Sequence, residues 1–255
     1  MIRPMSSRFA DKVVVVTGAG NGLGLAYARG FAAEGARVVL ADLDGITAEK
    51  AAADIVAGGG RAIGTHTDVA DESSVRTMVA AALDAFGGID VLVNNAGLHL
   101  GKYNSTLDLS VDDWRRIFDV NVLGAVICSR ECRTSMAARG GGVIMNQASV
   151  AAWAHRAGSY GATKLALTSV TMSLATELAD EGIRVFAVAP GAFMSDAVQA
   201  GLEPHNRELV LAGQLTKELG TPDDLVPFVL FLCSDEGRYA NAATYPFDAG
   251  FSKRI

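Results

Sequence analysis

Four consecutive valines, Val13 to Val16, run directly into Thr17-Gly18-Ala19-Gly20-Asn21-Gly22-Leu23-Gly24. An uninterrupted β-branched run predicts a strand buried on both faces, which is characteristic of a parallel sheet. An amphipathic helical pattern follows to about Glu34, and a second apolar strand, Arg37 to Ala41, ends at Asp42. Strand, glycine turn, helix and strand within about 30 residues form the βαβ unit that holds a dinucleotide. The glycines fit G-x-x-x-G-x-G and not the commoner G-x-G-x-x-G. The physical task is unchanged: a tight turn at Gly18, close approach of backbone to a diphosphate at Gly22, and helix packed hard on strand at Gly24. A merely flexible glycine loop is the alternative, and the flanking strand and helix argue against it.

The pattern then repeats. Thr47 to Val56 and Asp71 to Phe86 read as helices, Arg61 to Thr67 as a strand ending at Asp68-Val69, and Asp90 to Val93 as a strand closing in Asn94-Asn95-Ala96-Gly97. Val111 to Arg139 reads as a long helix broken near Asn121 and Gly124, since a mid-helix Asn competes for backbone partners. Val143 to Met145 is a short apolar run, and a helical pattern continues past Lys164 to about Asp180. Ile183 to Ala189 is a buried strand stopped by Pro190-Gly191, Pro222 to Leu232 a helix, and Thr244 to Phe247 a last strand. This alternation predicts an α/β fold with a doubly wound parallel sheet and helices on both faces. No repeat or linker divides residues 1–255, so one domain is expected, with about 1–10 a loose extension. Phe193 to Gly213 has no clean period and holds Pro204, which marks it as a substrate lid.

Ligands in such sheets lie beyond the carboxyl ends of the strands. The glycine turn, Asp42, Asp68, the Asn-Asn-Ala-Gly turn and Ser149 all fall there. Asp42 can accept hydrogen bonds from the hydroxyls of an adenosine ribose and would repel a 2′-phosphate. No Lys or Arg lies within Gly18 to Gly24 or in Leu43-Asp44, so NAD is favoured over NADP. A solvated strand-end Asp is the plain alternative. Tyr160 and Lys164 are four apart and share one helix face. An ammonium beside a phenol of pKa ~10 stabilises the phenolate, and a three-unit fall takes about 4 kcal/mol. By itself the pair is also what an idle surface pair would look like.

Taken together, Thr17-Gly18-x-x-x-Gly22-x-Gly24, Asn94-Asn95-Ala96-Gly97, Asn121, Ser149, Tyr160-x-x-x-Lys164 and Pro190-Gly191 resemble the short-chain dehydrogenase/reductase family, of the single-domain kind, over nearly the whole chain. The resemblance implies a seven-stranded Rossmann sheet, a nicotinamide cofactor and a catalytic Asn121, Ser149, Tyr160 and Lys164. Tyr160 would be the general acid or base. Lys164 would hold the nicotinamide ribose and depress the phenol's pKa. Ser149 would aim the substrate oxygen, and Asn121 would keep a water that links Lys164 to solvent. Gly18, Asn21, Gly22, Leu23 and Gly24 would meet the diphosphate, Asp42 the adenosine ribose, and Asp68 with Val69 the adenine. Asn95, Ala96 and Gly97 would line the cofactor, and Pro190, Gly191 and Ser195 the nicotinamide amide. The family also implies a homotetramer built on the helices of Asn121 and Lys164 and on the C-terminal strand, and small residues at Ala162, Ala166 and Ser169 would allow close packing.

Three departures stand out. Ser149 precedes Tyr160 by eleven residues, a shorter loop than is common in the family, and Gln147 holds the commoner position. Ser195 replaces a usual Thr, and Ala249 a usual Gly. His66, His99, His155 and His205 show no metal-ligand spacing, so no metal is expected. His99 and His155 could line the pocket or simply pack, as could Trp153, Phe193 and Met194.

The expected reaction is interconversion of a secondary alcohol and a ketone on a fairly apolar small molecule. A 3-oxoacyl or 3-hydroxyacyl thioester substrate is the alternative, made less attractive by the acidic Glu177, Asp180 and Glu181. A non-catalytic NAD(H) sensor is the other class, and the complete Ser149, Tyr160 and Lys164 set speaks against it. A formal net charge of −6 and the absence of a basic block argue against nucleic acid and anionic membrane. No apolar run reaches the length of a membrane span, and Met1 to Ser7 has no secretory pattern. Three cysteines, Cys128, Cys132 and Cys233, offer no paired framework. A cytoplasmic protein is the expectation.

Overall fold

In the computed structural model, which describes residues 8–155, 157–193 and 204–252, the valine run forms β1 (Val13–Thr17), every residue of it buried. It leads through the glycine turn to α1 (Gly22–Ala33) and β2 (Arg37–Asp42). The next units are α2 (Gly45–Ala57), β3 (Arg61–His66), α3 (Glu72–Phe86) and β4 (Val91–Asn94). Asp44 and Asp71 cap α2 and α3, each accepting a backbone N–H of the first turn.

The long helical stretch is interrupted where Asn121 predicts. α4 (Leu100–Tyr103) is a single turn; α5 (Val111–Phe118) passes through a π-turn, Asp119–Leu123, into α6 (Gly124–Ala138). β5 (Gly142–Gln147), a 3₁₀ turn (Val150–Trp153) and α7 (Gly158–Glu177) carry the other candidate residues. β6 (Ile183–Pro190), α8 (Pro204–Gly213), α9 (Pro222–Cys233) and β7 (Thr244–Phe247) complete the order.

The seven strands pair in parallel in the order β3-β2-β1-β4-β5-β6-β7. Direction reverses between β1 and β4, which opens the crevice where such sheets bind ligands. One face packs on α1, α2 and α9 through Tyr27, Phe31, Ile55, Val229 and Leu230; the other packs on α3, α6 and α7 through Met78, Cys128, Met136 and Ala175. All three cysteines are buried and unbridged, and burial pushes the thiols of Cys128 and Cys233 up to about 12.

Two expectations change. Residues 8–10 are not a loose extension: Phe9 is buried edge-on against Phe31, and Arg8 pairs with Glu34. The aperiodic reading of 193–213 fails at its end, because Pro204–Gly213 is helical; residues 194–203 lie outside the described residues.

Candidate active site

The glycine turn is fixed from β4. Thr17 Oγ1 accepts the N–H groups of Asn95 and Ala96 at 3.1 and 3.0 Å, and Asn95 Nδ2 donates to the carbonyls of Thr17 and Gly18 at 2.9 and 3.0 Å. Asn95 therefore serves the turn itself. A Cβ on Gly24 would lie 2.1 Å from the Gly18 carbonyl oxygen, so no side chain fits there. Gly22 differs: a Cβ there would meet nothing within 4 Å. Asn21 makes no side-chain cap, and the first turn of α1 has no acidic residue. Neither a side-chain cap nor a carboxylate thus competes for the leading N–H groups of α1, which suits an anionic diphosphate.

Asp42 Oδ2 accepts the Gly20 N–H at 2.8 Å and Oδ1 the Asp44 N–H at 3.0 Å. The carboxylate braces the loop and stands at the end of β2. Asp68 is half-buried and accepts from Ala70 N, while Val69 is buried against Gly124. Leu23 is half-buried on α1. Pro190 pairs with Phe247, and Gly191 N donates to the Phe247 carbonyl at 2.9 Å. Met194 and Ser195 lie outside the described residues, as do Arg156 and the side chain of His205.

The four expected catalytic residues come from three elements. Asn121 is held by the π-turn and buried; its Oδ1 accepts from Leu98 N at 2.7 Å, and its Nδ2 donates to Leu98 O and Thr163 Oγ1 at 3.0 and 3.1 Å. Its amide ties the segment after β4 to α7. A Cβ on Gly97 would lie 3.2 Å from Asn121 Oδ1 and 3.6 Å from Lys164 Nζ, so Gly97 faces both. Ser149 Oγ accepts the Ala151 N–H at 3.1 Å, capping the 3₁₀ turn, and its own proton remains free to point toward Tyr160. Gln147, by contrast, is buried on the α1 side of the sheet and bonded to Tyr27, so Ser149 is the hydroxyl beside the phenol. The shortened loop is closed at Gly158, where φ is +50° and a Cβ would lie 2.4 Å from Asn104 C, while Ser159 Oγ donates to Tyr103 O at 3.2 Å.

The Tyr160–Lys164 pair is brought together but not as expected. Lys164 Nζ lies 5.7 Å from the centre of the Tyr160 ring and donates to the Gln147 carbonyl at 2.7 Å. Burial lowers the lysine's pKa to about 8. The phenol's pKa is raised, not depressed: burial outweighs the opposing hydrogen bond from Ser149. The Lys164 ammonium is engaged by the Gln147 carbonyl, and it does not offset the burial of the phenol.

Around Tyr160 the walls are apolar: Tyr103, Ile117, Ala151 and Ala157 are buried with it, with Leu98 and Phe118 alongside. Trp153 packs near Ala148, Ala187 and Ala189. Phe193 is buried and stacked on Phe247, so it serves the core. His99 precedes α4 with an exposed edge, yet enough protein surrounds it that burial first, and the Lys164 charge second, lower its pKa. His66 bonds the Leu43 carbonyl, and His155 is exposed. Among the described residues no His, Cys, Asp and Glu cluster could hold a metal, and no helix is long and apolar enough to cross a membrane. The Thr17–Asn95 clamp, Thr163 and the Tyr27–Gln147 bond were not foreseeable, because each depends on partners distant in sequence.

Residues 18–252 match the family profile described as "Enoyl-(Acyl carrier protein) reductase". The chain is 37% identical over 248 residues to meso-2,3-butanediol dehydrogenase of Serratia marcescens, covering 95% of each chain. It is 35% identical over 257 residues to cyclohexanol dehydrogenase of Acinetobacter sp. (strain SE19), covering 100% of each. A solved 7α-hydroxysteroid dehydrogenase, complexed with NADH and 7-oxo glycochenodeoxycholic acid, superposes with a TM-score of 0.93 at 30% identity, covering 100% of each chain.

Proposed function

The chain belongs to the short-chain dehydrogenase/reductase family, and from that premise we propose that it is an NAD(H)-dependent oxidoreductase interconverting a secondary alcohol and a ketone on a fairly apolar small molecule. The observation that carries the reading is the convergence of Ser149, Tyr160 and Lys164 beside a glycine turn that leaves the α1 N-terminus without a side-chain cap. Bound nicotinamide supplies the hydride chemistry. Tyr160 gives a proton to the carbonyl oxygen in reduction and takes one from the alcohol in oxidation. Ser149, whose lone pair is fixed by Ala151, directs its free proton to the same oxygen. Lys164 would hold the nicotinamide ribose hydroxyls, and its charge near the phenol would favour the phenolate. Asn121 keeps Leu98 and Thr163 in register around them.

NAD is preferred because the end of β2 presents Asp42 with Asp44 close by, a poor place for a 2′-phosphate. The NADH held by the steroid dehydrogenase relative agrees with this choice. The alcohol reading is favoured over an acyl-carrier substrate by the names of the butanediol and cyclohexanol relatives and by the acidic end of α7, Glu177, Asp180 and Glu181. A homotetramer built on α6 and α7 is supported by Leu123, Leu165 and Met172, each about half exposed on that surface. A cytoplasmic location accords with the three unbridged cysteines.

The test is a coupled NAD and NADP assay over a panel of cyclic and acyclic secondary alcohols. Tyr160→Phe is expected to cut turnover by about 10²-fold or more while NADH binding, read by fluorescence, stays intact. Undiminished turnover in that variant would refute the proton role of Tyr160.

A further inference from the structure

Gln147 is the last residue of β5, paired with Val188 of β6. Its side chain shares a face with Val143 and Met145, which pack into the apolar cluster beneath α1 and α9. A polar amide at the rim of such a cluster is costly unless its hydrogen bonds are met. One is met internally. The phenol of Tyr27, fully buried on α1, donates to Gln147 Oε1 at 3.0 Å. Burial also holds that phenol far above its usual pKa, so it remains a donor at any working pH. The tyrosine proton has no other acceptor among the described residues, and this settles which way the amide points: oxygen to Tyr27, nitrogen away. Gln147 Nε2 then has two hydrogens with no acceptor among the described residues, yet it is not one of the sealed, unpartnered atoms. It is therefore not fully sealed, on a residue that is 8% exposed.

Its place is set by its neighbours. Tyr27 sits three residues beyond Gly24, one turn below the glycine loop, and the Gln147 backbone carbonyl accepts the Lys164 ammonium at 2.7 Å. Gln147 therefore links α1, through its side chain and Tyr27, to Lys164 of α7, through its backbone carbonyl. It is remote from Asp42: β5 stands three strands from β2 in the sheet, about 14 Å at ordinary strand spacing. We propose that the Gln147 side-chain amide, aimed by Tyr27, is a cofactor-contacting donor to an oxygen of the nicotinamide-bearing half. The proposal rests on the nicotinamide reading above.

The experiment is equilibrium titration of the full chain with NADH and, separately, with ADP, which carries only the adenine half. Gln147→Met keeps the length and apolar fit of the side chain, and Gln147→Leu is its shorter companion. Each is expected to weaken NADH binding by about five- to tenfold and to leave ADP binding within about twofold of wild type. Tyr27→Phe retains the donors but frees the amide, and should weaken NADH alone by a smaller factor, about two- to fourfold. NADH affinity unchanged in both Gln147 variants overturns the proposal. So does an equal loss for NADH and ADP, which would assign Gln147 a purely structural role. Failure of the wild-type protein to bind NADH at all would instead bring down the nicotinamide reading, and the proposal with it.

Discussion

Replacing Lys164 by Met should make the protein more stable at neutral pH while removing its activity. Lys164 is 4% exposed, its ammonium has a carbonyl and no carboxylate as partner among the described residues, and burial is the cause that lowers its pKa to about 8 from an ordinary 10.5. That difference corresponds to about 3 kcal/mol of folding free energy lost when the group is charged. Between pH 8 and 10.5 the folded chain binds fewer protons than the unfolded chain, so the unfolding free energy rises with pH across that window. Below pH 8 the full penalty is present; above 10.5 it has gone. Methionine keeps the methylene packing but leaves the Gln147 carbonyl without its donor, at about 1 kcal/mol. The variant should therefore be more stable than wild type by about 2 kcal/mol at pH 7, and should lose that advantage as pH approaches 10.5. Urea unfolding of the cofactor-free proteins at fixed concentration, from pH 6.5 upward, measures both curves. Parallel curves, or a variant less stable than wild type at pH 7, would refute the idea that the lysine is held at a desolvation cost for function.

Two further outcomes follow from the surface of the site and of α7. Asp42→Ser combined with Leu43→Arg should move the NADH/NADPH affinity ratio by about tenfold or more toward NADPH, measured by titration; an unmoved ratio would remove Asp42 from cofactor choice. Leu165→Glu with Met172→Glu places charge on the exposed apolar face of α7 and should lower the native mass in light scattering, with each substitution nearly neutral for a monomer. A wild-type protein already monomeric, or a variant of unchanged mass, would show that this face joins no second subunit.

The parts of the molecule legible in the sequence are those set by local pattern. The valine run, the glycine spacing and the strand-end Asp42 each constrain neighbours within a few residues, so β1, α1 and β2 could be read directly. Asn121 announced a break because a polar amide inside a helix needs a partner outside it, and the π-turn supplies that geometry. Periodicity failed for Pro204–Gly213, a helix whose exposed surface leaves only a faint apolar stripe, and for residues 8–10, where a single buried Phe9 anchors a stretch without pattern.

What no pattern could give is the protonation chemistry. The spacing of Tyr160 and Lys164 puts them on one helix face, but the sequence does not say how far either is buried or what else competes for the ammonium. Both side chains are nearly dry, and dryness moves the two groups in opposite directions, the phenol up and the lysine down. Each shift disfavours the charged form that proton exchange requires. On the proposed reading, a ribose diol beside Lys164 and a positively charged ring beside the phenol would oppose both shifts.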